Sequence, residues 1–253
     1  MDSVRPKKYL GQHFLKDENI ARKIVSSLGS DVQNVLEVGP GMGVLTKSLI
    51  LREFKDFRVA EIDKESVIYL NNHFPGLQII SGDFLKLELD SLFTQKFAII
   101  GNFPYNISSQ IFFKVLEHRD LVTEVVGMVQ KEVAERIAAP PGSKTYGILS
   151  VLLQAWYKIE YLFTVNEHVF IPPPKVKSAV IRFTRNTTVR LECDEQFFFT
   201  LVKTAFNQRR KTLRNAIRSL YKEGFNHPFL DKRAEQLSVA EFVELAQSIK
   251  QKN

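Results

Sequence analysis

The sequence predicts an α/β protein, in which an open and mostly parallel sheet is followed by a small α-helical domain. Apolar segments at 34–38 and 97–101 stop at a glycine turn and just before a proline, respectively, as buried parallel strands do. The first segment runs through glycines into helical periodicity, which is the strand–turn–helix order of nucleotide-cofactor proteins. From about residue 189 helical periodicity replaces the strand pattern, so we expect two domains, at 1–188 and 189–253.

Hydrophobic periodicity defines the remaining elements in order. Seven segments have strand character: 34–38, 57–63, 77–80, 97–101, 122–129, 158–165 and 179–184. Helices are predicted from the cap Asp17 to about Leu28, around Leu45 and Leu49, and at 107–116, 131–138, 197–206 and 208–221. Segment 148–156 is apolar and either helical or otherwise buried. Ser238 and Glu241 form a capping box that opens a final helix.

Composition limits the class of protein. Hydrophobic residues make up 44% of the chain and charged residues 25%, which is ordinary for a globular protein and argues against disorder. The net charge of +7 and the pI near 9.4 favour a polyanionic partner. Cys193 is the only cysteine, so a disulfide framework and a cysteine-cluster metal site are excluded within one chain. We expect no metal site.

The N-terminal segment is polar and basic. Residues 1–8 lack the apolar core of a secretory signal, and no apolar run in the chain is long enough to cross a bilayer. With a single cysteine, these features predict a cytoplasmic protein without membrane contact. Arg5, Lys7 and Lys8 form a basic arm that is either a frayed tail or a phosphate contact.

A glycine turn follows the first predicted strand. Its pattern is G-x-G-x-G, with glycines at Gly39, Gly41 and Gly43, and the acid Glu37 precedes it. Glycines let a ligand approach the backbone closely, and the start of the next helix is electropositive. Dinucleotide enzymes use G-x-G-x-x-G instead, so this spacing favours a different nucleotide cofactor.

Acids follow the next two strands at the same predicted sheet edge. Glu61 ends the second strand about twenty residues after the glycine turn, where a carboxylate can accept both ribose hydroxyls. Asp63 is either part of this site or a helix cap. Asp83 ends the third strand and is suited to accept from an adenine amino group, with Phe84 beside the ring. Alone, Asp83 would be an ordinary turn residue, but the repetition at one edge favours a site.

The fourth strand ends in Asn102-Phe103-Pro104-Tyr105, which we take as the centre of the site. The proline ends the strand, so this stretch lies at the carboxyl edge of the sheet. Asn102 offers a side-chain amide. A backbone carbonyl precedes the ring of Pro104, and Tyr105 follows it as an exposed aromatic. A planar base with an exocyclic amine can use all of these groups. Phe170 begins a stiff proline-rich connection and either stands over the ligand or lies in the core.

A basic run in the C-terminal part indicates nucleic acid. Between Lys203 and Lys222 there is no acidic residue. Phosphate contacts explain such a run better than a solvated helix face does. The candidate contacts are Arg209, Arg210, Lys211, Arg214 and Arg218, which we call the basic cluster.

Taken together, these motifs resemble those of the bacterial small-subunit rRNA dimethyladenosine transferases, a family that also includes the macrolide-resistance methylases. The matching segments run in family order over nearly the whole chain. They are Gly11–Leu15, Glu37–Gly41, Glu61–Asp63, Gly82–Asp83, Asn102–Ser108, Gln130–Val133, Phe170, Pro172–Val176, Ser178–Val180 and Ala205–Asn215. Phe103 stands where the family more often has Leu, and His13 where Asn is common.

The resemblance implies a Rossmann-like class I methyltransferase domain with a seven-stranded sheet, followed by a helical RNA-binding domain. It implies S-adenosylmethionine as cofactor, with S-adenosylhomocysteine as product. By that likeness the target base is held by Asn102, Pro104, Tyr105 and Phe170. The implied cofactor site consists of His13, Leu15, Glu37, Gly39, Gly41, Glu61, Ile62, Asp83, Phe84 and the Asn102 backbone.

The implied reaction is N6,N6-dimethylation of two adjacent adenines in the 3′-terminal hairpin loop of 16S rRNA, in the 30S subunit or its precursor, by a monomeric enzyme. Three alternatives remain open at this point. A dinucleotide oxidoreductase would need the other glycine spacing. A small-subunit assembly checkpoint factor would also use the basic cluster. A 23S rRNA methylase conferring macrolide resistance is the third, and segment 206–215 favours the small-subunit branch by resemblance.

Overall fold

The computed structural model describes residues 4–252. Its strands are β1 (Phe14–Leu15), β2 (Asn34–Val38), β3 (Asp56–Glu61), β4 (Gln78–Ser81), β5 (Phe97–Asn102), β6 (Val122–Gln130), β7 (Tyr157–Val165), β8 (Phe170–Ile171) and β9 (Ser178–Arg185). Its α-helices are α1 (Glu18–Val25), α2 (Thr46–Leu49), α3 (Lys64–His73), α4 (Leu89–Leu92), α5 (Ser108–Glu117), α6 (Lys131–Ala138), α7 (Ile148–Gln154), α8 (Glu195–Asn207), α9 (Leu213–Ala216) and α10 (Val239–Lys252).

Seven strands form one sheet in the order β4-β3-β2-β5-β6-β9-β7. Strands β4, β3, β2, β5 and β6 are parallel, and β9 runs antiparallel to β6. The predicted Rossmann-like sheet is therefore confirmed. The order reverses between β2 and β5, and in open α/β sheets ligands bind at the carboxyl edge beside such a reversal. Strands β1 and β8 form a separate antiparallel pair.

Burial explains why the central strands form. Strand β5 buries five of its six residues, and β2 buries four of five, since helices of this fold class cover both faces of the sheet. One apolar cluster joins α1, α2 and the central strands to residues of β1 and β8, including Leu15 and Phe170.

The Phe103 side chain packs against strands β5 and β6 of the sheet. It is buried, and added Cβ atoms at Gly101 and Gly127 would lie 2.8 Å and 2.4 Å from its ring atoms. Its ring also meets the Phe112 ring edge-on at 6.0 Å between centroids. The two glycines on β5 and β6 therefore make room for an aromatic ring at a position next to Asn102.

Contacts divide the chain into two compact units. The first consists of residues 1–134 and 160–185, and the second of 135–159 and 186–253. The predicted boundary at 188/189 falls within three residues of the observed one, but segment 135–159 was expected in the first domain. This segment joins the second unit because α7 packs on α8 and α10, and the Trp156 ring stacks on Phe199 at 5.7 Å.

The predicted helix at 208–221 is wrong. Only α9 and a 3₁₀ turn at Arg218–Leu220 occur there, and α8 ends at Asn207. Backbone bonding explains the break, since Leu213 N donates to Lys232 O at 2.8 Å instead of to the preceding turn. The basic cluster therefore lies on the turn after α8, on the short helix α9 and on the 3₁₀ turn, and not on one continuous helix.

The other predicted helices agree closely with the structure, whereas α3 and α4 were not predicted. Asp17 caps α1 by accepting from Asn19 N and Ile20 N. The capping box of α10 is present: Ser238 Oγ accepts from Glu241 N at 3.2 Å, and Glu241 Oε2 accepts from Ser238 N at 2.8 Å. In the described part of the chain, no helix has the length and apolar character needed to cross a membrane.

Candidate functional site

A cleft of about 170 Å³ lies at the carboxyl edge of β2, β3, β4 and β5, beside the reversal in strand order. Residues that follow each of these four strands line it, together with the N-terminal segment. The predicted site residues on its wall are His13, Gly39, Gly41, Glu61, Ile62, Asp83, Phe84, Asn102, Pro104 and Tyr105. Leu15 and Glu37 line a smaller neighbouring pocket that shares Phe14, Gly39 and Asn102 with the cleft.

The glycine turn forms the floor of the cleft. Gly39 and Gly41 have φ values of +69° and +58°, a region that other residues seldom adopt. A Cβ atom at Gly39 would have Pro104 Cδ as its nearest neighbour, at 4.0 Å, and would therefore occupy cleft space. At Gly41 a Cβ atom would lie 2.8 Å from the Phe14 ring. Backbone geometry therefore favours glycine at both positions, and lack of space requires it at Gly41.

Glu61 is fixed by the backbone on both sides of its carboxylate. Oε2 accepts from Gly41 N at 3.0 Å and Oε1 accepts from Asp63 N at 2.9 Å. Burial raises the pKa of Glu61, while these backbone bonds lower it by less. The bond to Gly41 ties the end of β3 to the glycine turn after β2, so the carboxylate is held rigidly at the cleft wall.

Glu37 is more deeply buried, with 1% of its surface exposed. Burial raises its pKa to about 8; the nearby Glu61 charge adds to this effect and the hydrogen bond from Thr46 opposes it. Thr46 Oγ1 lies 2.6 Å from Glu37 Oε2. The carboxyl group therefore reaches only the smaller pocket, beneath the glycine turn.

A turn after β4 forms another part of the wall. Asp83 Oδ1 accepts from Leu85 N at 3.0 Å, which orders the turn that carries Phe84. Lys114 of α5 supports this turn from behind: its ammonium donates to Leu85 O at 3.1 Å and lies 5.9 Å from the Phe84 ring centroid. Sequence reasoning missed Lys114, because a helix lysine gives no sign that it turns inward.

Asn102 lies at the end of β5 with its side-chain amide oriented. Its Nδ2 donates to the backbone oxygen of His13 at 2.8 Å. An amide has one nitrogen and one oxygen, so this bond turns Oδ1, an acceptor, away from His13. The pairing of a strand-end asparagine with a residue 89 positions earlier could not be seen in the sequence.

Pro104 and Tyr105 follow Asn102 along the wall of the cleft. Pro104 O accepts from Ile107 N at 3.2 Å and, as a carbonyl, has capacity for a second donor. The Tyr105 hydroxyl is hydrogen-bonded to Ser178 Oγ. Its ring stacks against the His13 ring, with centroids 5.5 Å apart. Burial raises the Tyr105 pKa, which keeps the phenol neutral.

Phe170 and Leu15 lie together, and neither lines the cleft. They are register partners in the β1–β8 pair, and both belong to the apolar cluster under the sheet. Phe170 is 1% exposed and is not part of the cleft wall. The structure thus favours the core alternative for its ring, and its contact with a target base stays a prediction.

The N-terminal segment covers one side of the cleft, and we call residues 7–15 the N-terminal strap. Residues 9–14 all line the cleft. His13 Nδ1 lies 2.7 Å from Pro172 O, and Lys16 N donates to Val169 O at 2.9 Å, so the strap is joined to the segment around β8. Among these residues the sequence identified only His13 and Leu15 as site residues. The motif Gly11–Leu15 was the available signal for the rest.

Members of the basic cluster differ in their surroundings within the second unit. Arg214 donates twice to Asp231 Oδ1, at 3.0 Å and 2.9 Å, and Arg218 donates to Tyr221 O at 3.0 Å. Arg209 donates to Lys144 O and lies 3.8 Å from Glu235. Arg210 and Lys211 are exposed, and within residues 4–252 no ion pair involves them.

Comparison with known proteins identifies the family of this chain. The family described as ribosomal RNA adenine dimethylase matches residues 4–251. The chain is 60% identical to the ribosomal RNA small subunit methyltransferase A of Phocaeicola vulgatus, over 98% of this chain and 91% of that protein.

Two solved structures extend the comparison. A dimethyladenosine transferase from Plasmodium falciparum has a TM-score of 0.77 at 27% identity, covering 95% of this chain and 98% of that one. The 23S rRNA methyltransferase ErmE has a TM-score of 0.66 at 26% identity, covering 92% of this chain and 99% of that one. The resemblance seen in the sequence is confirmed. This chain belongs to the ribosomal RNA adenine dimethylase family of S-adenosylmethionine-dependent methyltransferases.

Proposed function

We propose that this enzyme dimethylates N6 of two adjacent adenines in the 3′-terminal hairpin loop of 16S rRNA, in the 30S subunit or its precursor. The observation that carries the chemistry is the fixed amide of Asn102, whose nitrogen is bound to His13 O at 2.8 Å and whose oxygen is thereby available as an acceptor. The choice of small-subunit rRNA is supported by the 60% identical relative of that name, against 26% for the 23S rRNA enzyme.

The residues of the cleft fit S-adenosylmethionine. The glycine floor gives the space that a Cβ atom at Gly39 would fill, and the carboxyl groups of Glu61 and Asp83 suit the ribose hydroxyls and the adenine amine. When bound, this cofactor supplies an electrophilic methyl group on a sulfonium. We assign the ribose hydroxyls to Glu61, because its oxygens are rigidly held by two backbone donors.

The adenine end of the cofactor is assigned to the turn after β4. Asp83 is the acceptor for the amino group, and Phe84 and Ile62 are the apolar neighbours of the ring, since all three line the cleft. The Asn102 backbone and the strap residue His13 complete this site. Leu15 and Glu37 contribute through the smaller pocket beside Gly39.

The base site is assigned to Asn102, Pro104 and Tyr105. A target adenine must leave its stack, which costs least in a single-stranded loop. Asn102 Oδ1 and Pro104 O would then accept the two N6 hydrogens and localise the nitrogen lone pair, so that N6 could bond to the methyl carbon as the bond from that carbon to sulfur breaks. The displaced N6 proton would leave to water. The Tyr105 ring, held by Ser178 and backed by His13, replaces part of the lost stacking, worth about 1–3 kcal/mol per base.

RNA binding is assigned to the second unit, with Arg210 and Lys211 as the main phosphate contacts. Arg214 and Arg218 are exposed as these two residues are, but the guanidinium groups of Arg209, Arg214 and Arg218 contact protein groups. A monomer acting on ribosomal particles in the cytoplasm is the simplest form of this proposal.

The direct test is incubation with tritiated S-adenosylmethionine and 30S subunits that lack the methyl groups, followed by nucleoside analysis. The proposal predicts label in N6-methyl- and N6,N6-dimethyladenosine of 16S rRNA. Parallel incubation with 50S subunits is the control. Label in 23S rRNA alone, or in another nucleoside, would contradict the proposal, and binding without any transfer would favour an assembly factor.

A further inference from the structure

Asp63 lies just beyond β3 with a fully buried side chain and more partners than a helix cap needs. It caps α3 by accepting from Glu65 N at 3.1 Å. It also accepts from Lys7 Nζ and, at 3.2 Å, from Gln12 Nε2. A longer contact, from Ser66 Oγ at 3.4 Å, comes from α3 itself, whereas Lys7 and Gln12 belong to the N-terminal strap, more than fifty residues away in sequence. We call Asp63, Lys7 and Gln12 the strap latch.

Within the latch, the positive charge of Lys7 is paired with the negative charge of Asp63. Burial alone would raise the pKa of Asp63, but hydrogen bonds from Lys7, Gln12 and Glu65 N hold it below its usual value. Lys7 Nζ also lies 3.1 Å from Glu65, and its pKa is raised chiefly by Asp63. A buried carboxylate needs such donors, so the strap and the end of β3 stabilise each other.

Gln12 connects the latch to the strap backbone. Its Oε1 accepts from Lys7 N at 2.8 Å while its Nε2 donates to Asp63, so the side-chain amide is used at both ends. The next residue is His13, whose carbonyl oxygen accepts a hydrogen bond from Asn102 Nδ2 at 2.8 Å. The atom that orients the Asn102 amide therefore belongs to the residue directly after Gln12 of the latch.

We propose that Asp63 and Gln12 are positioning residues for methyl transfer: their hydrogen bond places the His13 carbonyl, which in turn keeps Asn102 Oδ1 facing the base. The inference rests on the proposed role of Asn102. If the carbonyl moves, the amide can turn over and present NH₂ to the adenine amine. A donor then faces a donor, and the lone pair of N6 is no longer localised.

An exchange of the two groups tests the bond itself. Gln12→Glu places a carboxylate 3.2 Å from Asp63 Oδ2, but Gln12→Glu combined with Asp63→Asn restores a hydrogen bond with donor and acceptor reversed. We expect Q12E to lower the single-turnover rate at saturating cofactor about tenfold or more, and the double variant to recover to within about threefold of wild type. The matched control is Glu65→Gln, which removes the second partner of Lys7 and leaves the rate within about twofold.

A double-mutant cycle with Asn102→Ala shows whether the latch acts through that residue. We expect N102A to be slow and Q12E to slow it by less than about twofold further. A merely structural latch would lower the melting temperature and slow N102A as much as wild type, which would overturn the inference. Lack of rescue by D63N in the double variant would overturn it as well.

Failure of the proposed role of Asn102 and failure of the latch give different results. Near-normal transfer by N102A would refute the proposed function of Asn102, whereas a slow N102A with fully additive Q12E would refute only the latch. If Q12E does not fold, Asp63→Asn takes its place in the cycle, since it weakens the same bond without adding a charge. A D63N rate equal to wild type would then contradict the proposal.

Discussion

Replacing Glu61 tests whether the buried carboxylate at the end of β3 holds the cofactor. In the structure Glu61 satisfies two backbone donors, Gly41 N at 3.0 Å and Asp63 N at 2.9 Å. Glu61→Gln keeps the size of the side chain but turns one acceptor into a donor. One of the two backbone N–H groups then faces an NH₂ group.

E61Q should lower both the stability of the protein and its affinity for the cofactor. A buried donor without an acceptor costs about 1–3 kcal/mol, which for a chain of this length lowers the melting temperature by about 2–4 °C per kcal/mol. One carboxylate oxygen that accepts from the ribose hydroxyls would become an NH₂ group, and the other would become a neutral amide oxygen. The binding free energy lost is about 2–3 kcal/mol. That corresponds to a Kd for S-adenosylhomocysteine raised about 30- to 150-fold.

The assay is isothermal titration of S-adenosylhomocysteine into wild type and E61Q, with thermal unfolding of both proteins without ligand. Glu117→Gln is the control, because Glu117 is exposed at the end of α5 and does not line the cleft. A Kd for E61Q within about threefold of wild type, in a variant with the expected loss of stability, would refute the assignment of Glu61 to the ribose.

Three other predictions use different groups. Burial raises the pKa of Glu37 from 4.5 to about 8, so the folded protein binds one more proton than the unfolded chain between these values. Its stability should therefore fall as pH rises from about 4.5 to 8, an effect absent from Glu37→Gln in denaturant unfolding; parallel pH profiles would contradict this. Lys114→Met removes the donor to Leu85 O, so the KM for cofactor should rise about five- to tenfold with kcat retained; an unchanged KM would disprove the supporting role. Arg210→Ala should lower the slope of log affinity against log salt for RNA by about one. Arg214→Ala, whose guanidinium is paired with Asp231, should leave that slope unchanged, and equal effects would contradict the division of the basic cluster.

Much of the fold could be predicted because its elements are specified locally. The buried strands β2, β5 and β6 are short segments dominated by apolar residues, and caps such as Asp17 and Ser238 are visible in sequence. The helix at 208–221 was mispredicted because its apolar spacing suits a helix as well as the observed turn. The deciding contact, from Leu213 N to Lys232 O, lies between residues distant in sequence.

The cleft could be predicted only in part for the same reason. Strand ends that carry Gly39, Glu61, Asp83 and Asn102 meet because parallel strands share an edge, and the sequence showed all four. The strap could not be predicted, since its position depends on the pairing of Gln12 with Asp63. A phenylalanine suits a core position as well as a position over a ligand, so the sequence could not decide between them for Phe170. The structure places its ring in the core.

The central claim is that Asn102 makes the adenine amine reactive, and the split between binding and rate for Asn102→Ala tests it most directly. The cofactor affinity of N102A should stay near that of wild type, because the likeness assigns the Asn102 backbone, and not its amide, to the cofactor. Its single-turnover rate on undermethylated 30S subunits should fall about 100-fold or more, as for the loss of other electrostatic groups in active sites. Normal affinity with a near-normal rate would contradict the account.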